Sequence, residues 1–479
     1  MTVLSDLRPQ EVFKYFEELS AVPRGSGHTD KVVDYLLSFA AEHNLDSYRD
    51  DANNVIIRKA ASKGYENADI LVLQGHHDMV CEKADGVEHD FENDGIEVYV
   101  DGDWLRAKGT TLGGDNGIAV AMMLAILADE ELPHPALEML FTADEEIGML
   151  GAFAFDCSQL KGHKLINLDS EYEGVLMCSC AGGANVRSRI SVNLEQTSGT
   201  VVTVSVKGLK GGHSGVEIDK GRANSNVLLA RLLKGAVEAM DVRLVAIEGG
   251  TRETAIANTA EMKVIVSDEK TFLRVAEEMK DIFIKEYATA EPDMEIAFDC
   301  DVGDAMALTL EDTKKVANVM VALPDAVQAM SIDMPGLVQT STNWGLLKLE
   351  GSELAFCNTV RSSMTTQKRW IIAKIKAIVG LAGGECEIQG DYPGWAFNPN
   401  SEVTDVILKS YKKLFGKDAK VDAVHAGIEC GLFADAIPNL DCVSIGPEMA
   451  EVHTPNEHLS IASTARTYEL LREVLKESK

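Results

Sequence analysis

The chain has 479 residues, of which 46% are hydrophobic and 25% charged, and its formal net charge is −31. Its length alone suggests roughly three domains and allows a sizeable core, and its composition is that of an ordinary globular protein. The charge repels phosphate backbones and anionic lipid, which argues against nucleic-acid and membrane-surface partners. The first residues lack a basic stretch followed by an apolar core, and no apolar run reaches the 18 residues of a membrane span. The nine cysteines are scattered without a CxxC pair, so reduced thiols and a cytoplasmic location are expected.

In chain order, helix is expected from Pro9 to Leu19 and from His28 to His43, where Val32, Val33, Tyr35, Leu36 and Phe39 recur at helical spacing. Short apolar runs at Ile70 to Gly75, Leu137 to Ala143 and Lys164 to Asp169 read as strands, and a long apolar helix, Ile118 to Leu132, lies between the first two. Strands alternating with helices indicate an α/β sheet covered on both faces. Near Gly182 the texture changes to the period-two alternation of half-buried antiparallel strands. Such runs occur at Val186 to Leu194, Thr200 to Leu209, Arg243 to Gly250, Ala260 to Ser267 and Met294 to Cys300. Helices are expected at Ala223 to Met240, Glu269 to Tyr287 and Leu310 to Leu323. After a loop rich in Gly, Pro and Asn at Asp391 to Ser401, the α/β texture returns with helix Glu402 to Leu414, strand Asp441 to Gly446 and helix Ser463 to Lys476. The economical organisation is an α/β domain in two parts, 1–186 and 393–479, split by an inserted α+β domain, 187–392.

Four of the strand-like runs lead into acids or histidines. ILVLQ precedes GHHD with His76 and Asp78, LEMLF precedes TADEE with Glu145 and Glu146, LINL precedes Asp169, and CVSIG leads on to His453. In an open α/β sheet such groups gather at the carboxyl edge of the strands. Asp115 joins them where the glycine-rich loop GTTLGGDNG enters the apolar helix. Each feature is commonplace alone: an H-x-D, a helix N-cap aspartate, a solvated Glu pair. Together they point to metal, because two histidines and several carboxylates share a pocket cheaply only when cations neutralise the acids. Imidazole with carboxylate suits Zn²⁺, and also Mn²⁺ or Co²⁺. Asp78 is placed to accept the second N–H of the His76 ring. Of the adjacent Glu145 and Glu146, one can bind metal while the other takes a proton from water.

GHHDMV, GTTLGGDNG, TADEEIG, NLDSE and VHTPNE resemble the motifs of the co-catalytic zinc aminoacylase and carboxypeptidase superfamily, over essentially the whole chain. PRGSG at Pro23, GHHDMVCEK, GLKGGHSG and HAGIECG narrow the resemblance to its aminoacyl-histidine dipeptidase branch. The resemblance implies a phosphorylase/hydrolase-like three-layer catalytic domain with an inserted α+β lid. It implies two divalent ions, zinc first, bridged by Asp115, with His453 and Glu146 on one and His76 and Asp169 on the other. Glu145 would be the general base, and the Asp115–Asn116 bond would be cis. His213 would stabilise the oxyanion, and Asn258 and Arg361 would hold the dipeptide, Arg361 through its carboxylate. The implied substrates are Xaa-His and related dipeptides, β-alanyl-histidine included, and a homodimer is compatible with the resemblance. His77 departs from the aliphatic residue common at its position and is expected to point away from the metals. The alternatives are an N-acyl amino-acid deacylase of the same superfamily and a catalytically silent metal-binding scaffold.

Overall fold

A computed structural model describes residues 3–479. The chain forms two compact units. The first runs to Ser179 and resumes over Phe397–Ala423 and Ile428–Lys479; the second comprises Cys180–Ala396 and Val424–Gly427.

The first unit is built on an eight-stranded sheet in the order Asp46–Arg49, Val55–Lys59, Leu137–Thr142, Leu71–His76, Lys164–Asn167, Asp441–Ser444, Val175–Cys180, Lys420–Val424. The strands Leu137–Thr142, Leu71–His76, Lys164–Asn167 and Asp441–Ser444 are mutually parallel. Every residue of the first two is buried, as central parallel strands require. Leu71, Leu73 and Ile166 join one core with helices Gln10–Ser20, Gly114–Ala128 and Ile461–Glu477. The alternate residues Val72, Leu140 and Leu165 are equally buried on the opposite face, so both faces are covered.

Helix Gly114–Ala128 is apolar all round and buried from Asn116 to Leu127, which is the condition under which such a helix is stable. It stops at Ala128, short of the Leu132 expected from composition. Asp129 is extended, and its carboxylate takes the amides of Glu131 and Leu132, a local alternative to the helical ladder. A small sheet of Met449–Ala450, His458–Ser460, Trp104–Ala107 and Val98–Asp101 fixes both ends of the loop that carries His453.

The second unit is an antiparallel α+β body. Its main sheet runs Glu295–Leu308, Leu194–Lys207, Ala260–Val266, Val242–Gly249, Val338–Glu350, Glu353–Ser362, Gly182–Ser191, Glu385–Tyr392. Helices Ser225–Ala239, Glu269–Glu286, Leu310–Ala322 and Thr365–Leu381 contribute to a core with Val202, Val204, Val206, Trp344 and Phe356. Strands Val338–Glu350 and Glu353–Ser362 were not evident from periodicity. Their register slips between Trp344 and Leu346, a bulge that breaks the alternation such a reading needs.

Candidate functional site

Parallel strands end on one edge, and the first unit uses that edge to assemble the predicted residues. His76 is the last residue of its strand, Glu145 and Glu146 follow Thr142, Asp169 follows Asn167, and the strand ending at Ser444 leads to the His453 loop. Asp115 arrives from the start of the buried helix in an extended conformation (φ −80°, ψ 109°), with a cis bond to Asn116.

His76 Nε2 lies 3.0 Å from Asp115 Oδ1 and 3.5 Å from Asp169 Oδ1. His453 Nε2 lies 3.2 Å from Asp115 Oδ2 and 2.9 Å from Glu146 Oε2. Asp115 therefore offers one oxygen to each histidine. Ligand atoms of His76, Asp115 and Glu146 also lie within 4.8 Å of one another, a grouping that crosses between the two halves and makes them adjacent rather than separate. A tetrahedral cation with bonds of about 2.1 Å spaces its ligands about 3.4 Å apart. The donor chemistry and the separations both fit divalent cations.

The electrostatics lead to the same place. Hydrogen bonds to Asp115 and Glu146 push His453 up to about 10. Burial lowers the His76 pKa but is outweighed by Asp169, Asp115 and Asp78, which hold it well above its ordinary value. Burial likewise opposes the ionised form of Asp115, yet its hydrogen bonds to His453 and His76 keep it below the usual carboxylate range. Asp169 is raised to about 6, by burial first and then by Asp115 and Glu146 against the pull of His76. Without a cation, protons on the two imidazoles balance the acids; a cation would displace them. Burial, reinforced by Asp169, Glu429 and Glu146 and opposed by His76, pushes Glu145 up to about 9. A carboxyl held that high keeps its proton at neutral pH in the cation-free site; positive charge bound beside it would lower it into the range where it can accept and return a proton.

Asp78 is buried and has one oxygen 3.3 Å from His76 Nδ1. It also accepts from Ser26 Oγ (2.8 Å) and from the amides of Glu145 (3.1 Å) and Glu146 (3.3 Å), so one carboxylate holds three segments of the site. His77 turns the other way, its Nε2 3.0 Å from the Asn53 carbonyl.

Several supporting residues are not among those singled out from the sequence. Arg24 is buried, and its Nη1 donates to the carbonyls of His77 and Asp78 while Nη2 donates to that of Gly113, tying the His76 segment to the Asp115 loop. Gly113 has φ +66°, and a Cβ there would collide with the Arg24 guanidinium. Glu457 accepts the amides of Leu112, Gly113, Gly114 and Asp115. Below the ligands lies a buried polar layer of Gln74, Thr142, Asn167 and Glu429. Arg24, Glu457 and Glu429 all fall within the motifs PRGSG, VHTPNE and HAGIECG, which is the signal that could have found them.

The remaining predicted residues lie in the second unit. His213 sits on the short strand Gly212–His213, and its Nδ1 accepts from the amides of Gly215 (3.1 Å) and Val216 (3.2 Å), which leaves the ring proton on Nε2. Asn258 packs against Gly211, in the segment that carries His213. Arg361 is 6% exposed, donates from Nη1 to Tyr392 Oη (2.9 Å), and has no carboxylate partner among the described residues. His425 completes this cluster: its Nε2 is 2.7 Å from Ser341 Oγ, and Arg361 acts on both His425 and His213. A buried guanidinium without an acid favours an anionic ligand.

Residues 72–477 match the model of peptidase family M20/M25/M40. The chain is 37% identical to the cytosol non-specific dipeptidase of Escherichia coli (strain K12), over 100% of this chain and 99% of that protein. The crystal structure of aminoacylhistidine dipeptidase from Vibrio alginolyticus superposes with a TM-score of 0.95 at 34% identity, covering 99% of this chain and 98% of that one. Aminopeptidase PepT from Bacillus cereus shares the fold at a TM-score of 0.58 and 16% identity, with 98% of this chain covered and 99% of that one. No helix of the described residues is long and apolar enough to cross a membrane.

Proposed function

Because the chain belongs to peptidase family M20/M25/M40, we propose that it is a metal-dependent dipeptidase acting on Xaa-His and related dipeptides, β-alanyl-histidine among them. The observation that carries this reading is the division of the Asp115 carboxylate between His76 and His453. Asp115 would bridge two divalent ions, zinc first and manganese or cobalt as alternatives, with His76 and Asp169 on one side and His453 and Glu146 on the other. Bound there, the cations supply Lewis acidity toward the scissile carbonyl and toward water.

The chain's own residues do the rest. Glu145 takes the proton of the attacking water and returns it to the leaving amine. Asp78 holds the His76 ring in one tautomer and orientation. In the second unit, read as the lid, His213 donates its Nε2 proton to the developing oxyanion, and Asn258 and Arg361 bind the substrate, Arg361 through the terminal carboxylate. The E. coli relative is named as cytosolic, and the same compartment is proposed for this chain.

The test is a panel on zinc-reconstituted protein: carnosine, an α-linked Xaa-His dipeptide, other dipeptides, a tripeptide and an N-acetyl amino acid. Cleavage of the dipeptides with little action on the rest supports the reading. Cleavage of the N-acetyl amino acid alone would make the chain a deacylase.

A further inference from the structure

Glu429 lies in none of the roles above, yet it is among the most completely buried acids of the first unit, with 0% exposure. Its Oε2 accepts from Gln74 Nε2 (2.6 Å) and Thr142 Oγ1 (2.8 Å). Gln74 Oε1 in turn accepts from Asn167 Nδ2 (2.7 Å), and Asn167 Oδ1 accepts the amide of Asp169 (3.2 Å). These residues occupy three adjacent parallel strands, and each stands just before a residue of the proposed centre: Gln74 before His76, Thr142 before Glu145, Asn167 before Asp169. The other oxygen of Glu429, Oε1, is buried with no hydrogen-bond partner. No arginine or lysine is paired with this carboxylate among the described residues; the charged groups that act on it are His76 and Asp169, with Glu145 nearby.

A buried carboxyl with an unsatisfied oxygen is expensive, whether it stays charged or is neutralised by taking up a proton. It also stands among other acids. A purely architectural demand for an acceptor beneath Gln74 and Thr142 would be met by the single oxygen of a glutamine, with no charge to bury. A negative charge at this depth is repaid only where positive charge is held nearby, above the polar layer.

We infer that Glu429 is a positioning residue of the metal centre: through Gln74 and Asn167 it fixes the strand ends carrying His76 and Asp169, and its charge strengthens cation binding without itself ligating. This rests on the metal-centre reading proposed above. Loss of a residue hydrogen-bonded to a ligand weakens metal binding by about 10- to 100-fold, and Glu429 stands one residue further out, so the lower end of that range is expected.

The experiment uses the full chain, E429Q and E429D, with Zn²⁺ binding by equilibrium dialysis and thermal unfolding of chelator-stripped protein. E429Q is expected to bind zinc about 10-fold more weakly, while its stripped form melts no lower than stripped wild type, because the oxygen it replaces had no partner and the buried charge is gone. E429D keeps the charge and is expected to retain zinc better than E429Q. A scaffold role alone gives the opposite stability sign: stripped E429Q would melt lower than wild type. That result, or wild-type zinc affinity in E429Q, overturns the inference. Wild-type protein that takes up no zinc would remove the centre itself, a failure distinguishable from the other two.

Discussion

Glu457 Oε1 lies 3.2 Å from the backbone amide of Asp115, and the same carboxylate takes the three preceding amides, Leu112 to Gly114. Glu457 stands four positions beyond His453, so it holds Asp115 in register with one of the histidines that faces it. Glu457→Gln removes one acceptor oxygen and puts an N–H₂ among buried N–H donors. With each unsatisfied buried donor costing about 1–3 kcal/mol, the variant should lose about 2–4 kcal/mol in urea unfolding and bind zinc more weakly. Unchanged stability would show that the loop holds itself.

Asp78→Asn preserves shape but weakens a contact to the His76 ring and the acceptors for the Glu145 and Glu146 amides. Zinc affinity, measured by competition with a chelator, should fall about 10- to 100-fold, with kcat/KM falling alongside. Full zinc affinity would mean that the backbone alone orients His76.

The legibility of the molecule followed its chemistry. His76, Asp115, Glu146, Asp169 and His453 stand out as candidates because each follows an apolar run or a glycine-rich turn and because imidazole–carboxylate sets have few other uses. Arg24 and Glu457 bind backbone carbonyls and amides, which every residue possesses, so no complementary side chain announces them. Glu429 was hidden differently: its partners Gln74, Thr142 and Asn167 sit inside runs that read simply as strand. In the second unit the bulge at Trp344–Leu346 broke the alternation of the strands, and the β-branched Ile371, Ile372 and Ile375 blurred the helix Thr365–Leu381.

Arg361 gives a prediction about substrate form. If its guanidinium holds the terminal carboxylate, Arg361→Ala should lower kcat/KM for a dipeptide about 10- to 100-fold, the worth of a charged hydrogen bond. A C-terminally amidated dipeptide should be poor for wild type and little affected by the change. An equal loss on both substrates would assign Arg361 to the fold of the second unit.

His425 makes stability depend on pH. Burial, with Arg361 and His213 adding, pushes it down to about 4 from an ordinary 6.5. The folded state therefore refuses a proton that the unfolded chain takes up below 6.5. The stability associated with the neutral ring is complete above 6.5 and is lost as pH falls through about 4, amounting to about 3 kcal/mol. Urea unfolding at pH 7.5, 5.5 and 4.5 should show this slope, and His425→Gln should flatten it. The same slope in the variant would place the effect on other groups.

The most direct test of a two-metal dipeptidase is a zinc titration of chelator-stripped protein, following hydrolysis of an Xaa-His dipeptide at each step. Hydrolysis should be absent at zero metal and should reach its plateau at two ions per chain. Turnover that survives complete stripping, or a protein that binds zinc and never cleaves the dipeptide, would contradict it.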